Sequence, residues 1–171
     1  KEFTSPTLGD VDLNVPGNDV LTYNPDKARK LWKQANSIKP WNDTFQIGYN
    51  ADGGNQQWVD AVCNNLHQVL GITAYGKAYP TFKQFRDEIT QRTIKIAFRS
   101  GWAGDYPSVY NFLQPLYMTG ASSNDGNYSS PAFDKLISQA AAASSINESK
   151  KFYRKAQAIL MRDLPATVSY T

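Results

Sequence analysis

The chain has 171 residues, 41% of them hydrophobic and 19% charged, with a formal net charge of +3. That is enough apolar sequence for one folded domain with a real core, and it excludes a disordered tail. The small charge, without a long basic block, excludes nucleic acid as an expected partner, and no apolar run approaches a membrane span.

Residues 1–22 are rich in Pro, Gly, Asp, Asn and Thr without a sustained period, which predicts a linker or loop. "YNPDKARKLWKQA" then predicts a helix over 25–36. Asn24 suits the N-cap, Pro25 the first helical position and Asp26 the positive end of the dipole. Ala28, Leu31 and Trp32 fall on one face. "TFQIGYN", residues 44–50, alternates as a strand does, and "ADGGN" turns the chain. "NQQWVDAVCNNLHQVLG" is the best amphipathic helix, with Val59, Val62, Cys63, Leu66 and Leu70 at helical spacing and Gly71 closing it.

"ITAYGKAY" predicts a second strand. "TFKQFRDEIT" predicts a third helix with Phe82, Phe85 and Ile89 on its inner face, and "TIKIAFR" a third strand. Strand, helix, strand, helix, strand in this order argues for a mainly parallel or mixed sheet flanked by helices, an α/β fold. Ligands in such sheets collect at the carboxyl ends of the strands.

"RSGWAGDYPSV" follows the third strand directly, and "VYNFLQPLY" turns helical after it. "SPAFDKLISQAAAAS" predicts a helix with Phe133, Leu136 and Ile137 on one side. "NESKKFYRKAQAILMRDL" predicts a longer one, capped by Asn147 or a neighbour, burying Phe152, Ala156, Ile159 and Leu160. The Ala/Ser stretch at 140–145 is a helix end, and "PATVSYT" is a terminal strand or crossover. Neither end has the character of a natural terminus, so the chain is read as a piece of a longer protein.

Catalytic constellations are weak. His67 is the one histidine, it lies inside a helix, and no G-x-S-x-G accompanies it. A helix-surface histidine is the preferred reading. Cys63 on the apolar face of the same helix reads as packing, and one cysteine cannot build a zinc site alone. The glycine-rich "ADGGNQQ" lacks both phosphate-loop patterns and reads as a turn. No cofactor or metal is expected, and an enzyme is disfavoured.

Asp105 is the strongest candidate, and two readings of it stand side by side. It can cap the next helix, since Tyr-Pro follows it. It can also hold a cationic group, with Gly101 and Gly104 allowing close backbone approach and Trp102 as a wall. A carboxylate without a histidine partner suits recognition better than acid–base catalysis. Arg99 can meet a ligand carboxylate or can simply be a solvated strand end.

The order of "YNPDKARKLWKQA", "RSGWAGDYPSVYNFLQPLY", "YSSPAFDKLISQAAAAS" and "ILMRDLPATVSY" resembles the solute-binding proteins of peptide-type ABC transporters, over roughly 22–171. The resemblance implies a lobe of the type II periplasmic-binding-protein fold. Residues 1–22 would be a linker or inter-lobe segment and 23–171 the C-terminal ligand-binding lobe, partnered by an N-terminal lobe of the same protein. It implies a binding protein that captures short peptides and delivers them to permease subunits. The location would be extracytoplasmic, periplasmic or lipid-anchored on the outer face of the cytoplasmic membrane.

In the family, the acid of Gly-Trp-x-x-Asp binds the free α-amino group of the peptide, a role that falls here on Asp105. The backbone at Gly101–Ala103 would pair with the peptide main chain. Trp102 would shape a side-chain pocket, and Arg99 matches an arginine that meets the peptide carboxylate in some members. Gly104 stands where alanine is common. A non-peptide solute on the same scaffold, such as a nickel chelate, haem or an oligosaccharide, is the alternative, and a fragment of an α/β enzyme a more distant one.

Overall fold

The computed structural model describes residues 3–167, which divide into two compact units. A sheet unit comprises Asn24–Gly101, and a helical unit comprises residues 3–23 together with 102–167.

The sheet unit opens with α1 (Pro25–Ile38). The Asn24 side chain accepts the Lys27 N–H at 2.9 Å, and Pro25 occupies the first turn. Such a cap contributes about 1 kcal/mol. None of the α1 side chains is fully buried. The covered stripe runs through Ala28, Trp32 and Asn36, whereas Leu31, expected on that face, is exposed. Trp32 meets Trp41 edge to face across 6.2 Å.

Three parallel strands follow in the order β2–β1–β3: β1 is Phe45–Asn50, β2 is Ala74–Tyr79 and β3 is Ala97–Phe98. The third strand is much shorter than its alternation suggests. Ile94, Ile96 and Phe98 do alternate in burial, but only Ala97 and Phe98 pair with β1. Pattern reports which side a residue faces; the ladder depends on where the neighbouring strand lies.

Helix α2 (Gln56–Leu70) joins β1 to β2 and buries Val59 and Cys63. Gly71 ends it at φ 70° and donates its N–H to the His67 carbonyl. That left-handed geometry favours glycine. Val62 is 41% exposed, outside the buried stripe expected for it. Gly76 on β2 is required by packing: a Cβ there would stand 2.8 Å from both Tyr49 Cε1 and Val59 Cγ1.

Helix α3 (Phe82–Thr90) connects β2 to β3 and is capped by the Thr81 side chain. Phe85 and Ile89 are buried with Tyr79. Phe82 departs from the expected inner face and is 47% exposed.

In the helical unit, residues 3–23 are irregular except for a 3-10 turn at Asn18–Leu21, yet Phe3 and Val15 enter the core. Helices α4 (Tyr110–Tyr117), α5 (Pro131–Ala141) and α6 (Ile146–Asp163) supply the rest. Val109, Leu113, Phe133, Ile137, Ala156 and Leu160 are fully covered there. Apart from Ala156, each of these side chains contributes about 1.5–3 kcal/mol of burial.

The cap of α6 is Ser145, whose Oγ accepts the Glu148 N–H, while Glu148 reaches back to Ser144. Phe152 and Ile159 are half-buried, and the covered α6 face is completed by Tyr153, Gln157 and Met161. Of the terminal strand expected over 165–171, residues 168–171 lie outside the described residues, and 165–167 are not in a strand.

Candidate functional site

The sequence singles out Arg99, Gly101, Trp102, Ala103 and Asp105. Arg99 and Gly101 belong to the sheet unit, and Trp102, Ala103 and Asp105 to the helical unit.

In the helical unit, Asn111 organises the motif. It is a buried polar residue in the first turn of α4. Its Oδ1 accepts the Asp105 backbone N–H at 2.8 Å, and its backbone carbonyl accepts Trp102 Nε1–H at 2.9 Å. One residue therefore fixes both the indole and the backbone that carries the acid. Gly104 completes the arrangement. A Cβ there would lie 2.8 Å from Phe112 Cζ and 3.1 Å from Asn111 Oδ1, so an alanine at this position would meet the Phe112 ring.

Asp105 does not cap α4. That task falls to Asp10, far upstream in the chain. Asp10 accepts the Val109 N–H at 2.9 and 3.1 Å, and the Ser108 hydroxyl at 2.6 Å. Ser108 Oγ in turn accepts the Tyr110 N–H. Asp105 is exposed, and among the described residues no hydrogen bond or ion pair uses its carboxylate. Of the two readings of this acid, the helix cap is therefore replaced by Asp10.

Asp10 and Ser108 also line a separate pocket of about 380 Å³ in the helical unit, with Tyr110, Ser149 and Tyr153. Burial, then the nearby Asp10 charge, pushes the Tyr153 hydroxyl up to about 12. None of the residues singled out from sequence lines this pocket.

In the sheet unit, Arg99 follows β3 and its N–H donates to the Gly48 carbonyl of β1 at 2.9 Å. Its guanidinium is held rather than free. Nε and Nη2 donate to Asn50 Oδ1 at 2.9 and 2.6 Å. The guanidinium carbon stands 5.5 Å from the Phe82 ring centre and 5.9 Å from that of Phe85, within cation–π range. This accounts for the half-exposed Phe82, which serves as a platform for a cation. Asn50 Nδ2 donates to Asp52 Oδ1 at 2.6 Å, and Asp52 Oδ2 accepts the Phe82 N–H at 2.9 Å. The Asn50 amide, then the Phe82 N–H, holds the Asp52 carboxyl below its ordinary range.

Sequence reading missed Asp10, Asn50, Asp52 and Asn111. Asn50 and Asp52 carry a faint signal, being polar residues at the carboxyl end of β1, where such folds bind ligands. Asp10 and Asn111 carry none, because their partners become visible only in three dimensions. Among the described residues, no group of three or more His, Cys, Asp or Glu side chains gathers as a metal ion would require, and no helix is long and apolar enough to cross a membrane.

The profile of the bacterial extracellular solute-binding proteins, family 5 (middle region), matches residues 1–124. The periplasmic oligopeptide-binding protein OppA of Salmonella typhimurium is 30% identical over 138 residues, covering 81% of this chain and 25% of that protein. The dipeptide-binding protein of Lactococcus lactis is 32% identical over 165 residues, covering 91% of this chain and 29% of that protein.

Among solved structures, the Escherichia coli murein tripeptide binding protein MppA superposes with a TM-score of 0.81 at 23% identity, over 96% of this chain and 32% of that one. The Helicobacter pylori periplasmic binding protein DppA, in complex with the peptide STSA, gives 0.80 at 24% identity, over 96% and 31%. The chain thus spans about a quarter to a third of the length of these relatives. Their fold is that of type II periplasmic binding proteins, and the parallel sheet flanked by helices found here agrees with it. Family 5 consists of solute-binding proteins rather than enzymes, and this chain belongs to it.

Proposed function

We propose that this chain is the C-terminal ligand-binding lobe of a peptide-capturing protein that serves an ABC importer. Residues 23–171 make up most of that lobe, and the segment before them, expected from sequence to be a linker, adds Phe3 and Val15 to its helical core. Together with an N-terminal lobe, it encloses a short peptide and delivers it to permease subunits in the cytoplasmic membrane. The protein works outside that membrane, free in the periplasm or held to the outer face by a lipid anchor. The oligopeptide- and dipeptide-binding relatives support a peptide ligand.

The observation that carries this reading is the state of Asp105. Its backbone is pinned by Asn111 and its carboxylate is exposed, without an internal partner among the described residues. Asp10 performs the structural duty otherwise open to it. An acid held in place but not consumed suits the free ammonium group of a peptide. The backbone at Gly101–Ala103 pairs with the peptide main chain, which gives affinity that tolerates different side chains. Trp102, anchored through its indole N–H, offers a wall to one ligand side chain. Arg99 meets a ligand carboxylate.

The test is calorimetry on the protein expressed in its entirety from its gene, with trialanine and N-acetyl-trialanine. A charge-assisted hydrogen bond contributes about 1.5–3 kcal/mol. Asp105→Ala is therefore expected to weaken trialanine binding roughly ten- to a hundredfold. Acetylation is expected to have the same effect on wild type and little further effect on the variant. Unchanged affinity for trialanine in Asp105→Ala removes the acid from the site.

A further inference from the structure

We infer that Asn50 is a positioning residue for ligand recognition, holding the Arg99 guanidinium in place while leaving its charge available to a ligand carboxylate. This rests on the reading of Arg99 given above.

Asn50 ends β1 and is 3% exposed. A guanidinium only donates and a carboxylate only accepts, so the side-chain amide has one satisfactory orientation between Arg99 and Asp52. Its oxygen takes Nε and Nη2 of Arg99, and its nitrogen faces Asp52. Asn55 Nδ2 adds a third constraint, 3.1 Å from the same oxygen. The amide is thereby fixed on both sides, and it fixes one edge of the guanidinium in turn.

The chemical type of this tether matters. A carboxylate at position 50 would pair with Arg99 directly and neutralise it. An amide gives the same geometry without a compensating charge at the contact, and places the Asp52 carboxylate one residue further away. Asn50 occupies Nε and Nη2 and leaves Nη1 as the remaining donor nitrogen. Nη1 lies 3.8 Å from the position a Cβ on Gly101 would take, beside the first glycine of the motif. The stack on Phe82 and Phe85 limits rotation out of this plane. A flexible arginine would lose side-chain entropy on binding; one ordered beforehand loses less.

Gly53 gives an independent handle. A Cβ there would stand 2.5 Å from Asn50 Nδ2 and 2.7 Å from Asn55 Nδ2, so Gly53→Ala displaces the tether without altering Arg99 itself.

The experiment measures binding of alanine di- to pentapeptides, as free acids and as C-terminal amides, to the protein expressed in its entirety. Wild type, Arg99→Met, Asn50→Asp and Gly53→Ala are compared, and thermal unfolding checks that each variant is folded. The readout is the ratio of acid to amide affinity, which a purely structural defect leaves unchanged because it weakens both ligands alike.

Wild type is expected to prefer the acids, and Arg99→Met to abolish that preference. Asn50→Asp and Gly53→Ala are each expected to cut the ratio by about tenfold. A ratio lost in Arg99→Met but intact in both other variants overturns the positioning role alone. A wild-type protein that binds acid and amide equally, or neither, overturns the carboxylate reading of Arg99 and this inference with it.

Discussion

Asp52 links two structural tasks through one side chain. One oxygen holds the Asn50 amide and the other receives the first N–H of α3. Both contacts favour the ionised form and hold the carboxyl below its ordinary range. A group depressed in the folded chain contributes stability above its unfolded pKa, and that contribution is lost as pH falls through the folded value. Asp52→Asn is therefore expected to unfold at a lower temperature than wild type at neutral pH. The gap should close as pH falls below the ordinary carboxylate range and the wild-type carboxyl too becomes protonated. Thermal unfolding of both proteins across this range is the check; a gap independent of pH means the charge is not what matters. At the same scale, Asp10 and Asp105 illustrate how sequence proximity misleads. Asp105 precedes α4 and looks like its cap, but the N–H of Val109 is taken by Asp10, brought in by the irregular segment at the start of the chain.

The elements form where local chemistry and burial agree. Side-chain caps at Asn24, Thr81, Ser130 and Ser145 each accept the N–H three residues on, and each lies within a residue or two of the start expected from sequence. The sheet depends more on contacts between elements. Gly76 lets α2 approach β2, since any side chain there would meet Tyr49 and Val59. Gly76→Ala is expected to destabilise the sheet unit by about 1–3 kcal/mol, the usual range for overpacking. Urea unfolding should show this as a lower midpoint with an unchanged slope. An unchanged midpoint would mean that β2 and α2 do not pack as closely as the structure places them. Leu31, Val62 and Phe82 show the limit of periodicity at this scale. Each sits at helical spacing from its neighbours, yet each lies at the exposed edge of its stripe, Phe82 under the Arg99 guanidinium.

For the whole molecule, family membership and the exposed acid lead to a direct measurement. Mass spectrometry of ligand released from the protein, expressed in its entirety in its native host, is expected to find a mixture of short peptides with free amino ends. A single non-peptide compound would leave the solute-binding family in place and overturn the peptide reading of Asp105. Much of this was legible in the chain itself. Helix starts were readable because capping is local. The α/β alternation was readable because strands and helices have different periods. The site segment was readable because Gly-Trp-x-x-Asp-Tyr-Pro follows a strand. Tertiary structure decided the rest. It set the two-residue length of β3 and the split of the chain into two units. It gave Asp10 the cap that Asp105 resembles, and it tied Arg99 to Asn50 across 49 positions of sequence. The physical reason is the same in each case: propensity and period act between near neighbours, whereas a hydrogen bond forms wherever folding brings a donor to an acceptor.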